Sequence, residues 1–165
     1  STPSIVDFVT ELKAKVEGRG LRIVLEPGRS IVAAAGALLT KALYRKKTGE
    51  KEFVIVDAAM NDLIRPALYD AYHEVLPLRL SNSPQIRADI VGPVCETGDF
   101  LARDREMAEV MPGDLLAVCT AGAYGFVQAT TYNARRLPAE VLVEGAIWRV
   151  VRKRETYEDL IRGEE

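Results

Sequence analysis

A chain of 165 residues with 48% hydrophobic and 28% charged residues can pack one domain and is not a candidate for global disorder. The formal net charge is -2 and Lys and Arg are spread along the chain, which removes nucleic acid from the expected partners. No apolar run reaches the roughly 18 residues of a membrane span, no signal-peptide pattern is visible at the N-terminus, and Cys95 and Cys119 alone suit a reduced, cytoplasmic setting rather than a disulfide scaffold.

In chain order, Ser4 is placed to cap a helix, with Asp7 completing a weak capping box. Ile5, Val9, Leu12 and Val16 recur at helical spacing, and Gly18 and Gly20 end the run. Leu21 to Leu25 is short and nearly all apolar, as in a strand buried on both faces of a parallel sheet. This helix and strand cannot bury their own faces and read as the last unit of a larger (β/α) barrel. The rhythm then changes to strands: Phe53 to Ala59, Ile90 to Cys95, Leu115 to Cys119 and Val141 to Val151 are rich in β-formers. Arg45 to Glu52, with Gly49, reads as a turn between strands, and Met111-Pro112-Gly113-Asp114 as another. Pro66 opens a short helix through Tyr72, and Thr156 caps a terminal helix ending near Gly163. The expected fold is α+β: residues 1–32 as the end of a (β/α)8 barrel, then residues 33–165 as a β-rich, barrel- or sandwich-like domain.

Four segments hold residue types that carry chemistry. In Glu26-Pro27-Gly28-Arg29, Gly28 permits close backbone approach, Arg29 offers a planar fork for a carboxylate or phosphate, and Glu26 can pair with a cationic ring nitrogen; an ordinary turn is the plainer reading. Arg65 and Tyr69 are four apart, so one helix face can present a guanidinium and a phenol together. Nearby His73, the single histidine, reads as a structural or surface residue rather than a catalytic one. Cys95-Glu96 follows an apolar run and precedes Gly98: a thiol able to donate a proton beside an acid able to hold an ammonium, or else a buried structural cysteine. Cys119 has only that structural reading. In Gly122-Ala123-Tyr124-Gly125, glycines flank a hydroxyl able to reach a phosphate or substrate. Trp148 and Tyr157 read as core or interface residues.

Together, "EPGRSIVAAAG", "VDAAMNDLIRPALYDAYHE", "GPVCETGDFL" and "AGAYGFVQATTYNARRLPAEVLV" resemble the successive C-terminal signatures of diaminopimelate decarboxylases, in the alanine-racemase-like group of pyridoxal-phosphate decarboxylases. The resemblance runs from about Leu21 to Val151. It implies pyridoxal 5'-phosphate as cofactor, meso-diaminopimelate as substrate, L-lysine as product and a homodimer with shared active sites. It assigns Glu26 to the cofactor ring, Gly28 to the phosphate loop, Arg29 to cofactor and substrate carboxylate, and Arg65 and Tyr69 to substrate. It makes Cys95 the proton donor, Glu96 the substrate-binding acid and Tyr124 a contact of both phosphate and substrate, with Cys95 and Glu96 reaching into the partner's site. Grips of both signs suit a substrate whose far end is itself an amino acid.

The lysine that holds the cofactor in such enzymes has no counterpart here: Lys41, Lys46, Lys47 and Lys51 fall in a charged, hairpin-like region. The expectation is a C-terminal piece that needs an N-terminal barrel segment and is inactive alone. Decarboxylases of ornithine, arginine or carboxynorspermidine and a non-catalytic dimerisation homologue remain alternatives; relatives that form simple diamines typically carry Asp where this chain has Glu96.

Overall fold

The computed structural model describes residues 3–79 and 82–164. Helix α1 (Ile5–Val16) starts where the sequence predicts, with the Ser4 hydroxyl accepting from the Asp7 amide at 3.1 Å. Gly18 and Gly20 then turn the chain at φ 74° and 62°. No residue of α1 is buried. Leu21 to Leu25 corrects the sequence reading: these residues form no strand, and Leu21 and Val24 are 64% and 72% exposed. The apolar pattern is real, but no strand among the described residues lies alongside to complete a ladder, and an unpaired strand gains no hydrogen bonds.

Strands β1 (Leu38–Thr48), β2 (Lys51–Val56), β3 (Val75–Pro77), β4 (Gln85–Val91), β5 (Phe100–Ala108) and β6 (Leu115–Val118) build one mixed sheet in the order β3-β6-β1-β2-β4-β5. Gly49, at φ 62°, makes the tight turn that sets β1 and β2 antiparallel, carrying the charged lysine-rich hairpin. β2 and β4 run parallel, so the chain between them must cross over, and that long connection holds the short helix α3 (Arg65–Tyr69) and β3. The edge strands β3 and β5 approach each other, curling the sheet towards closure. Val54, Val56, Ile90, Leu101, Leu116 and Val118 fill its interior at 0% exposure, each contributing about 1.5–3 kcal/mol by burial.

Pro66 sits in the first turn of α3, and Asp70 takes a left-handed φ of 50°, which ends the helix before Tyr72. Val141 to Val151 is two strands rather than one, β7 (Glu140–Glu144) and β8 (Ile147–Arg152), turning at Gly145 with φ 62°. This hairpin stands apart from the large sheet. Trp148 is 68% exposed, and Tyr157 lies under the Arg136 guanidinium at 4.5 Å, so neither is in the core. Helix α4 (Tyr157–Leu160) begins at a capping box between Thr156 and Asp159.

His73 is 2% exposed, with Nδ1 2.9 Å from the Cys119 carbonyl. A carbonyl only accepts, so Nδ1 carries the hydrogen; Nε2 is buried without a partner among the described residues. Burial pulls this imidazole below its ordinary 6.5, partly opposed by the Cys119 contact. The unfolded chain therefore takes up the proton first on acidification, and stability is lost as pH falls below about 6.5. His73→Asn keeps an N–H for Cys119 but cannot titrate. Its melting temperature should fall less than that of wild type between pH 7 and 5; equal losses in thermal scans would remove His73 as the cause.

Candidate functional site

Two glycines set the site's base. After Gly28 the chain forms the single turn α2 (Arg29–Val32), then a 3-10 turn at Ala33–Ala35. The loop after β6 binds directly to this segment: the Ala121 amide donates to the Gly36 carbonyl at 2.8 Å, and the Gly122 amide to the Ala33 carbonyl at 3.0 Å. A Cβ on Gly36 would lie 2.6 Å from the Gly122 Cα, and one on Gly122 would strike the Val32 carbonyl, so only glycine allows this backbone contact. The clamped loop holds Tyr124 at φ 62°, a left-handed conformation that costs a non-glycine residue about 1–2 kcal/mol. Its hydroxyl reaches Gly28, where a Cβ would be 3.9 Å away, and makes no hydrogen bond among the described residues.

The Arg65 guanidinium lies 5.6 Å from the Tyr69 ring and 5.5 Å from the Tyr124 ring. The four-residue spacing thus puts Arg65 and Tyr69 on one face of α3, as the sequence predicts, and tertiary structure adds Tyr124 from the clamped loop. Stacking on aromatic faces fixes the guanidinium plane while leaving its N–H groups for an anion. Glu26 and Arg29 are exposed on the neighbouring segment, their side chains unpaired among the described residues.

Cys95 and Glu96 lie on the exposed loop between β4 and β5. The Tyr132 hydroxyl donates to Glu96 Oε2 at 3.3 Å, and the Gly98 amide is 3.5 Å from Oε1. The Glu96 carboxylate raises the Tyr132 phenol above its ordinary value of 10. Tyr132 is itself held from the 57–62 turn. Arg135 Nε donates to Asn61 Oδ1 at 2.8 Å and Nη2 to the Asp57 carbonyl at 2.6 Å, while the Thr130 amide donates to the Asn61 carbonyl at 2.9 Å. Met60, Asn61, Ile64, Thr130, Thr131 and Tyr132 line an open, largely apolar pocket beside it. Two aspartates brace this region: Asp62 accepts from the Ala59 amide at 2.9 Å, and Asp99 accepts from the Met60 and Val94 amides. Burial pushes both above the ordinary 3.8, and the backbone bonds oppose the rise.

The expected residues therefore fall into two groups. Gly28, Tyr124, Arg65 and Tyr69 converge on one side of α3. The Cys95–Glu96 loop meets another, because a Cβ on Gly98 would touch the Ala67 methyl at 3.7 Å. At about 100° per helical residue, Ala67 points roughly 200° away from Arg65. No hydrogen bond, ion pair or ring contact joins Cys95 or Glu96 to Tyr124 among the described residues. Sequence reasoning gave no role to Asp99, Tyr132 or Arg135. The Asp99 signal was present, an acid directly after the glycine of the cysteine loop, but its partner Met60 is 39 residues away.

Residues 8–122 match the family described as pyridoxal-dependent decarboxylase, C-terminal sheet domain. The chain belongs to this family. As a pyridoxal-dependent decarboxylase sheet domain it is 54% identical over 162 residues to a diaminopimelate decarboxylase of Pseudomonas aeruginosa, covering 98% of this chain and 39% of that protein. A diaminopimelate decarboxylase of Aquifex aeolicus is 50% identical over 159 residues, 96% of this chain and 38% of the other. A crystal structure of Helicobacter pylori diaminopimelate decarboxylase complexed with L-lysine superposes with a TM-score of 0.89 at 44% identity, over 98% of this chain and 40% of that one. The chain thus spans well under half the length of these relatives. No helix among the described residues is long and apolar enough to cross a membrane.

Proposed function

We propose that this chain is the C-terminal part of a pyridoxal-phosphate-dependent decarboxylase that converts meso-diaminopimelate to L-lysine, acting as a homodimer with shared active sites. The observation that carries this reading is the split of the candidate residues onto different sides of α3. Groups facing different sides of one short helix do not converge on one another, whereas a two-fold dimer would bring one group from each subunit to each of two sites. Residues 1–32 would complete the cofactor-binding barrel, which accords with α1 burying nothing here, and residues 33–165 would form the β-rich domain.

The residues present fit the cofactor's phosphate end: the unpartnered Tyr124 hydroxyl lies close to the Gly28 backbone, and Arg29 follows Gly28 in the chain. Glu26 would accept a hydrogen bond from the ring nitrogen. When bound, the pyridoxal ring takes in the electron pair left as CO2 departs. Arg29 and Arg65 would hold the distal carboxylate of the substrate, Tyr69 would line it, and Glu96 from the opposite subunit would hold the distal ammonium. Cys95 Sγ would give its proton to the carbon that has lost CO2.

Subunit mixing tests this in the whole enzyme. Arg65→Ala and Cys95→Ala homodimers should each be nearly inactive. Random mixing of the two should restore about one quarter of wild-type activity, because half the dimers are hybrids and one of the two sites in each hybrid is intact. No recovery in a mixture shown to exchange subunits would rule out sharing.

A further inference from the structure

We propose that Asp99 is a positioning residue that fixes the loop carrying Cys95 and Glu96 against the segment leading into α3, a role that rests on the reading of Cys95 and Glu96 given above. Asp99 is 4% exposed. Its Oδ2 accepts from the Val94 amide at 2.6 Å, inside the loop, and its Oδ1 accepts from the Met60 amide at 2.7 Å, on the stretch that ends in Arg65. Its own backbone closes the loop at both ends: the Asp99 amide donates to the Glu96 carbonyl at 3.0 Å, and the Asp99 carbonyl accepts from the Gly92 amide at 3.1 Å. The carboxylate fills the space a side chain at Gly92 would take, since a Cβ there would lie 2.5 Å from Oδ1.

The choice of acid over amide follows from these contacts. Each oxygen faces an N–H, and a carboxylate can accept on both oxygens. An asparagine would turn its NH2 towards one donor and leave that amide unmatched. No cation lies in contact with Asp99 among the described residues. Burial opposes its charged form, so the carboxylate is not held by an ion pair; what it holds is two backbone amides from two segments. Through these two hydrogen bonds one side chain ties the loop bearing the thiol to the stretch that leads into the helix bearing Arg65.

The test uses the whole enzyme with Asp99→Asn, read by amide exchange over residues 58–62 and 92–99 and by steady-state kinetics well below the melting temperature. The expected result is exchange about 10- to 100-fold faster in both segments, with β4 and β5 core amides unchanged, and a fall in kcat of about tenfold or more. Asp62→Asn removes a second buried carboxylate from the same turn and controls for lost stability; it should leave exchange over 92–99 at the wild-type rate. Should Asp99→Asn fail to fold, Gly92→Ala displaces the carboxylate while leaving Asp99 intact, and it should give the same exchange signature. Unchanged exchange over 92–99 overturns the proposal. So does faster exchange with unaltered kcat when Cys95→Ala abolishes turnover in the same assay. If Cys95→Ala also leaves kcat unaltered, the reading of Cys95 itself is what fails.

Discussion

Replacing Cys95 by alanine in the whole enzyme should lower kcat by about 10²–10⁴-fold and change KM for meso-diaminopimelate by less than about threefold. The split follows from the role. A group that only returns a proton makes its contribution in the transition state, so the substrate binds as before. Cys95 is suited to this: it is exposed on a short loop, unbonded and unmatched by any disulfide, so its thiol is free to meet a site on another subunit. The loop itself is rigid at its base through Asp99 and flanked by Tyr132 and Glu96. Cys95→Ser should fall between wild type and Cys95→Ala, because a hydroxyl fills nearly the same volume but is a far weaker acid. Steady-state kinetics on the three proteins decide the matter. A Cys95→Ala enzyme with kcat near wild type would assign the proton to another group, with the Tyr132 hydroxyl the next candidate on the same loop cluster.

How much of this is legible in the sequence depends on the range of each interaction. Ser4, Thr156 and Gly49 act within four residues, and local chemistry alone places their caps and turn; Gly145 acts over the same range, but the β-formers on both sides of it make Val141 to Val151 read as one strand. The Arg65 and Tyr69 pairing is also local, one helical turn apart. β5 was missed for a physical reason: Arg103, Asp104, Arg105 and Glu106 give it the look of a solvated loop. In the sheet, Arg103 lies over the Phe100 ring at 3.6 Å and Arg105 over Tyr72 at 3.7 Å, so the charges ride on aromatic faces while Leu101, Ala102 and Met107 enter the core. A left-handed Asp104 at φ 52° breaks the strict alternation that would have announced a strand. Leu21 to Leu25 failed in the opposite sense, since apolar content predicts burial but a strand also needs a neighbour. The links from Asp99 to Met60, Glu96 to Tyr132 and Gly36 to Gly122 join segments 36 to 86 positions apart. No local pattern encodes them. The sorting of the site residues onto different sides of α3 likewise rests on long-range contacts, Gly98 towards Ala67 and Arg65 towards Tyr124.

The proposed site also carries an expectation about selectivity. Arg65→Ala in the whole enzyme should reduce kcat/KM for meso-diaminopimelate by about 10²–10³-fold, the loss that follows when a buried carboxylate is left without its hydrogen-bonded cation. A substrate such as ornithine has no distal carboxylate to lose, so any turnover of it should change by less than about threefold. The ratio between the two substrates is therefore the informative quantity, since a general loss of structure would lower both. Arg65→Lys is the sharper variant. It keeps a positive charge but loses the flat fork that Tyr69 and Tyr124 hold between their rings at 5.6 Å and 5.5 Å, so most of the loss should remain. Glu96→Gln gives the complementary pattern. Both substrates carry a distal ammonium, so both should suffer, and the ratio should stay near its wild-type value. If Arg65→Ala depressed both substrates equally, the guanidinium would be bracing Tyr124 and its loop rather than gripping the substrate. The stacked geometry would then be structural in purpose.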